Sequence, residues 1–169
     1  MKFLLSALVA MSALSFHEAK EDTSTENVRE IAEWVFSKGG SVKYTNDDDK
    51  EVEIQDVDDL PEDSPITVVQ LSEYEDIGNH QLKMIKDLPD LKTLNVLGSK
   101  CVNDNDLKEI GELTTLTTLV IAATSINGNG FRHLTDLESL QNLRCGGAPI
   151  RDVSLAPQEN AQAQISRSG

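Results

Sequence analysis

From residue 66 onward the chain repeats a short pattern with apolar residues at its first, fourth and sixth positions. The copies begin at Ile66, Leu91, Leu116 and Leu140, so they are 25, 25 and 24 residues apart. The end of the pattern alternates between apolar residues and other residues, as in a strand that buries one face. The spacing therefore predicts four short strands, one in each copy.

A second apolar stripe follows the strand pattern in the first three copies, with its residues three positions apart. The stripes are Leu82, Ile85 and Leu88; Leu107, Ile110 and Leu113; and Phe131, Leu134 and Leu137. This spacing places apolar side chains on one side of a helical turn or two. Because one such strand–turn–helix unit cannot bury its apolar face alone, neighbouring units must stack and pair their strands in parallel. We expect an α/β fold, a short solenoid with a parallel sheet on its concave face and helices on its convex face.

The four copies, over about residues 64–155, resemble the leucine-rich-repeat family. The turns 102–107 and 126–131 are also similar to a turn of a bacterial subtype found in planctomycete-like exported proteins. The family pattern has Asn or Cys at its ninth position, where this chain has Tyr74, Ser99, Thr124 and Ala148. The resemblance implies a repeat module that recognises other molecules but lacks the buried asparagine ladder of the family.

Residues 16–63 are expected to form an acidic capping region that covers the first repeat unit. Within it, residues 24–38 predict an amphipathic helix. Residues 41–45 and 51–55 alternate like two short strands on either side of an acidic turn. The apolar face of the helix consists of Val28, Ile31 and Val35.

The C-terminal tail, residues 156–169, is polar, and we expect it to be disordered. A repeat array needs a polar terminal cap, and this tail is poorly suited to that role. One hypothesis is that the last unit, with Leu140, Leu143 and Ile150, is partly uncovered and promotes self-association. The alternative is that the tail folds back loosely over that unit.

Residues 1–15 have the features of a signal peptide: Lys2, an apolar run from Phe3 to Leu14, and a small-x-small pattern ending at Ser15. The alternative is a buried N-terminal helix, but the charged stretch that follows argues against packing. The apolar run is shorter than an ordinary membrane span requires. We therefore expect an exported protein without a membrane span, located in the periplasm, at the cell surface or outside the cell.

The negative charge of the chain limits the kinds of molecule that it is expected to bind. The formal net charge is −14, and residues 18–63 hold sixteen acidic and five basic side chains. Such a surface repels nucleic-acid phosphate and anionic lipid headgroups, so neither is an expected partner. A basic protein, a cation or a neutral glycan would not be repelled.

Sequence patterns typical of catalysis or of cofactor binding are missing from the chain. The three histidines do not have the spacing of metal ligands. Residues 103–106 are rich in oxygen ligands but fit a turn and a helix cap better than a calcium loop. Cys101 and Cys145 are expected too far apart for a disulfide and are interpreted as free thiols. We expect a non-catalytic protein with no cofactor and no metal site.

The remaining candidate site is the concave face of the predicted sheet. It should display the residues that alternate with the buried strand positions. These are Val68, Gln70, Thr93, Asn95, Thr118, Val120, Asn142 and Arg144. Such a polar and β-branched surface predicts recognition of a protein, a peptide or a glycan, and the alternative is an ordinary solvent-facing strand surface. The rival function is assembly of copies through the last repeat unit.

Overall fold

The computed structural model describes residues 23–73, 77 and 79–151 of the chain. The expected signal peptide over residues 1–15 and the expected disordered tail over residues 156–169 lie outside this part. In chain order the elements are α1 (Thr23–Ser37), β1 (Ser41–Thr45), β2 (Glu51–Ile54), a 3₁₀ turn (Val57–Asp59), β3 (Ile66–Gln70), α2 (Asn79–Ile85), β4 (Thr93–Asn95), α3 (Leu107–Ile110), β5 (Thr118–Val120), a second 3₁₀ turn (Phe131–Leu134) and β6 (Asn142–Arg144).

The strands form one six-stranded sheet with the order β2-β1-β3-β4-β5-β6. Strand β1 is antiparallel to both β2 and β3, whereas β3, β4, β5 and β6 are parallel to one another. Each of the four parallel strands comes from one copy of the repeated pattern. The expected α/β class and the parallel pairing of the four copies are therefore confirmed.

The parallel register places the aliphatic residues of successive strands side by side. Val69 stands opposite Leu94, Leu94 opposite Leu119, and Leu119 opposite Leu143. All four are at most 1% exposed. The helical stripe of each unit is buried as well and belongs to the same core as the strand residues. Helices and turns therefore cover one face of the sheet, and the core lies between them and the strands.

Main-chain hydrogen bonds continue between units beyond the strands. The N–H of Leu71 donates to the carbonyl of Asn95 at 2.7 Å, and that of Val96 donates to Val120 at 2.9 Å. The N–H of Ile121 donates to the carbonyl of Arg144 at 2.8 Å. Main-chain hydrogen bonds therefore join each unit to the next over a longer segment than the three-residue strands alone.

A left-handed residue follows each parallel strand at the same position of the repeat. These residues are Glu73, Gly98, Ala123 and Gly147, with φ of 62°, 77°, 55° and 74°. Glycine adopts this conformation without a steric cost, whereas a residue with a Cβ atom pays about 1–2 kcal/mol. The N–H groups of Glu73, Gly98 and Ala123 each donate to a carbonyl of the following unit. The turn therefore keeps adjacent units in register as the chain leaves the sheet.

The second and third units have a hydroxyl group at the position where leucine-rich repeats have asparagine. Ser99 and Thr124 are both buried. The Ser99 Oγ donates to the carbonyl of Leu71 in the preceding unit at 3.1 Å. The Thr124 Oγ1 donates to the carbonyl of Ile121 in its own unit at 2.7 Å. Tyr74, at the same position of the first unit, lies outside the described residues.

The N-terminal block packs against the first unit as a helix and a hairpin. Helix α1 buries Ile31, Ala32 and Val35 in the shared core. Arg29 donates from its guanidinium to the carbonyls of Leu60 and Val57, at 3.0 and 3.2 Å, and so fixes the helix to the following turn. The predicted helix and strands are confirmed, with the helix starting and ending one residue earlier than expected and β2 ending at Ile54.

The structure decides two points about the later units that the sequence left open. The third apolar stripe forms a 3₁₀ turn over Phe131–Leu134, which follows directly on Gly130. Leu140 and Leu143 are each 1% exposed, so these two side chains of the last unit are covered. Leu143 faces the core opposite Leu119, which accounts for its burial. Ile150 is half-buried.

The close contact between the second and third units predicts a strong effect of a single methyl group. A Cβ atom added at Gly111 would overlap the carbonyl oxygen of His133 in the next unit. We expect Gly111→Ala to destabilise the fold by about 1–3 kcal/mol, because backbone must move to accept it. The free energy of unfolding in urea measures the effect. Thr114→Ala, at an exposed position nearby, is the control and should change stability by less than about 0.5 kcal/mol. Equal stability of the two variants would contradict the packing of the two units.

Candidate recognition surface

The strands bring all eight predicted face residues together in two rows across the sheet. Val68, Thr93, Thr118 and Asn142 stand opposite one another in the first row. Gln70, Asn95, Val120 and Arg144 form the second row. These side chains alternate with the buried strand residues and so point away from the core. We call this surface the open face.

Seven of the eight residues are accessible to solvent. Asn142 and Arg144 are exposed, and Gln70, Thr93, Asn95, Thr118 and Val120 are half-buried. Val68 is only 7% exposed, so it does not offer the contact surface expected of it. It stands between Lys43 of β1 and Thr93 of β4, and these neighbours shield it.

The hairpin β1–β2 extends the open face beyond the residues found from the sequence. Lys43 stands opposite both Val68 and Glu53. The Glu53 carboxylate accepts from Ser41 Oγ at 2.8 Å and from Gln70 Nε2 at 3.4 Å, and it lies 3.8 Å from Lys43 Nζ. This network restrains the Gln70 side chain at the edge of the repeat rows. The alternation of the hairpin was visible in the sequence, but its pairing with β3 was not.

Leu97 is a second feature that the sequence pattern did not single out. It lies two residues after the end of β4 and, among the described residues, it is the large hydrophobic side chain that is exposed, at 39%. Its N–H donates to Asn95 Oδ1 at 3.0 Å, which fixes the orientation of that amide. The equivalent positions of the other units hold Ser72, Ala122 and Gly146. Aligning the four copies would have shown Leu97 as the one large residue at this position.

The open face carries little charge for so acidic a chain. Its charged residues are the Lys43–Glu53 pair, Glu51 on the outer strand of the hairpin, and Arg144. The rest of the face consists of amides, hydroxyl groups and Val120. The acidic side chains responsible for the net charge of −14 therefore lie mainly elsewhere on the molecule.

The oxygen-rich turn of the second unit joins two units. The Asp104 carboxylate accepts main-chain N–H groups from Asn127 at 2.9 Å, Gly128 at 3.0 Å and Gly130 at 2.7 Å. These three donors belong to the turn of the following unit. The interpretation of residues 103–106 as a structural turn agrees with these contacts. Within the described part of the chain, no group of three or more His, Cys, Asp or Glu is arranged to hold a metal ion.

Asp106 is a buried carboxyl in the same turn. It is 1% exposed; its Oδ2 accepts from the N–H of Asn103 at 2.8 Å, and its Oδ1 has no hydrogen-bond partner. Burial raises the pKa of this carboxyl above its ordinary value, and the nearby negative charge of Glu109 raises it further, against the effect of the Asn103 hydrogen bond. The group is therefore costly to ionise in the folded protein.

The two cysteines have different surroundings. Cys145 is buried in the core at the end of β6, as expected of a small apolar residue. Burial raises the pKa of its thiol, which disfavours the reactive thiolate. The Cys101 Sγ accepts the N–H of Ile77 at 3.1 Å and so links the second unit to the first.

Comparisons with known proteins give a likeness to solved structures. No family model matches the chain, and no curated protein matches it. An internalin from Listeria monocytogenes, known from a crystal structure, is similar with a TM-score of 0.47 and 19% sequence identity over 76% of this chain. The match covers 32% of the internalin, so the chain spans about a third of that protein.

Among the described helices, none has the length and apolar character needed to cross a bilayer.

The raised pKa of Asp106 predicts a pH-dependent effect of Asp106→Asn. When the pKa of a carboxyl is higher in the folded state than in the unfolded state, its contribution to stability is greatest at pH values below the pKa of the unfolded state. This contribution is lost as pH rises through the pKa of the folded state. The amide does not ionise, so the stability of Asp106→Asn relative to the parent should increase from about pH 3 to about pH 7. Urea unfolding of both proteins over this range measures the difference. A difference that stays constant or falls with pH would contradict the assigned environment.

Proposed function

We propose that this chain is an exported leucine-rich-repeat protein, a short solenoid that binds a partner through the open face and catalyses no reaction. The observation that carries the proposal is the uncovered face of a largely parallel sheet. Parallel sheets are normally covered on both faces, and in the described residues helices and turns cover only one. An uncovered sheet face with ordered side chains is suited to recognition.

The chemistry of the open face favours a protein or peptide partner. Asn95 and Gln70 are held by intramolecular hydrogen bonds, so little side-chain freedom is lost when a partner binds. Their amide groups can both donate to and accept from a peptide main chain. Leu97 and Arg144 add an apolar anchor and a cation, two kinds of group that interfaces use. A glycan offers hydroxyl groups to the same amides and is the alternative ligand.

Export is part of the proposal because of the first 15 residues, which combine Lys2, an apolar run and a small-x-small pattern. The partner is then expected outside the cytoplasm.

Assembly of copies is the second candidate function, and the two outer strands of the sheet favour it.

Substitution of the open face tests the binding function. Asn95→Arg combined with Asn142→Glu places bulk and charge in the middle and at the end of the two rows. We expect the variant to bind the partner at least about tenfold more weakly than the parent, because buried polar groups at an interface must be matched. The partner is first recovered by affinity capture from the extracellular fraction, and its affinity is then measured by calorimetry with purified components.

A matched control changes the opposite side of the molecule. Lys108→Glu combined with Thr114→Arg alters two exposed positions in and after α3. The control should bind like the parent and unfold at a similar urea concentration. Unchanged binding by the open-face variant, or loss of binding in the control alone, would overturn the assignment of the site.

A further inference from the structure

We propose that copies of this chain assemble head to tail, with β6 of one copy pairing in parallel with β2 of the next. The inference does not depend on the proposed binding function. It follows from the positions, directions, faces and charges of the two outer strands of the sheet.

Strands β2 and β6 are the two outer strands of the described sheet. In β6, the N–H of Asn142 donates to Thr117 at 3.0 Å and the carbonyl of Arg144 accepts from Ile121 at 2.8 Å. These groups face β5. Because alternate residues of a parallel strand bond to opposite sides, the main-chain groups of Leu143 point away from β5. They are placed to pair with another strand.

The two outer strands run in the same direction. Strand β2 is antiparallel to β1, and β1 is antiparallel to β3, so β2 is parallel to β3 and to β6. A second copy moved along the sheet without rotation therefore brings its β2 beside β6 in parallel. The sheet then continues from one copy into the next with the same order of strands.

The two strands also present matching faces. Glu53 stands opposite Lys43, and Lys43 stands opposite Val68, whose row ends at Asn142. Glu53 and Asn142 therefore lie on the same face of the sheet, the open face. On the other face, Ile54 and Leu143 are both directed into the core. Polar side chains of one copy would lie beside polar side chains of the next copy on the open face. Apolar side chains would lie beside apolar side chains on the core face.

Opposite charges are concentrated at the two ends of the sheet. Residues 47–63, which include β2, hold ten acidic side chains and one basic. Residues 140–151, which include β6, hold two arginines and no acidic side chain. When residues 142–144 pair with residues 51–53, Arg144 stands beside Glu53 and diagonal to the exposed Glu51, and both direct and diagonal cross-strand pairs of opposite charge are favourable. Pairing β2 with β2 or β6 with β6 would oppose like charges, so charge selects the head-to-tail arrangement.

The net charge of −14 sets the conditions for assembly. Repulsion between whole copies acts over long distances, and salt near 0.15 M screens charges separated by more than about 8 Å. A pair in contact across the new strand edge is screened less. We therefore expect assembly to be stronger at physiological salt than in a buffer of very low ionic strength.

Charge reversal at the two strands tests the proposal. The mass of the full chain, measured by sedimentation velocity and light scattering over roughly a hundredfold range of concentration, should rise beyond that of a dimer. A head-to-tail dimer still has an unpaired β2 at one end and an unpaired β6 at the other. Arg144→Glu alone and Glu51→Arg alone should each weaken association at least about tenfold. An equimolar mixture of the two variants, and the double variant, should associate again because every contact regains opposite charges.

The control is Asp87→Lys, a charge reversal at an exposed residue away from both strands, which should assemble like the parent. Recovery in the mixture also shows that both single variants are folded. Three results would overturn the proposal: a parent that stays monomeric at every concentration, a mass that stops at a dimer, or single variants that associate as strongly as the parent.

Discussion

The whole arrangement depends on the lateral contact between aliphatic residues of successive parallel strands. Val69, Leu94, Leu119 and Leu143 lie in one register row and are almost completely buried. A strand of three residues has too little surface to be stable alone, and burial of apolar surface between neighbours supplies the stabilisation. Because these residues occupy alternate positions, their burial also determines which side chains form the open face.

Contacts outside the strands keep that register from slipping. The left-handed residue after each strand directs the chain into a turn whose N–H groups, in the first three units, bond to the following unit. Asp104 binds three N–H groups of the next turn, and Ser99 bonds to the preceding unit in place of the asparagine ladder. Polar groups thus reinforce an order that apolar burial establishes, and they do so through bonds that leave the open face unobstructed.

The strands and the buried positions could be predicted from sequence because a period of 24 to 25 residues with fixed apolar spacing has few structural solutions. The N-terminal helix and hairpin followed from amphipathic and alternating patterns in the same way. A helical turn was expected at Phe131–Leu134, but the sequence did not show that it is a 3₁₀ turn, because spacing by three suits both kinds of helix. The burial of Leu140 and Leu143 could not be decided from sequence, because the pattern does not show what covers the last unit.

The candidate site was only partly predictable for a related reason. Repeat positions identify the eight residues of the two rows, but they do not show which neighbours shield them. Val68 is covered because β1 pairs with β3, a contact between segments that no repeat relates. The same contact brings Glu53 to Gln70 and extends the open face onto the hairpin. Leu97 lies one position past the strand pattern, where only a comparison of all four copies reveals it.

The most direct test of the central claim is the measurement of scalar couplings across hydrogen bonds by NMR, which identify each donor and acceptor individually. The register predicts couplings from the Val96 amide nitrogen to the Val120 carbonyl carbon and from Ile121 to Arg144. The same experiment should connect Leu71 to Asn95. Couplings that join these strands in antiparallel order, or that connect Val96 within its own unit as in a helix, would contradict the account.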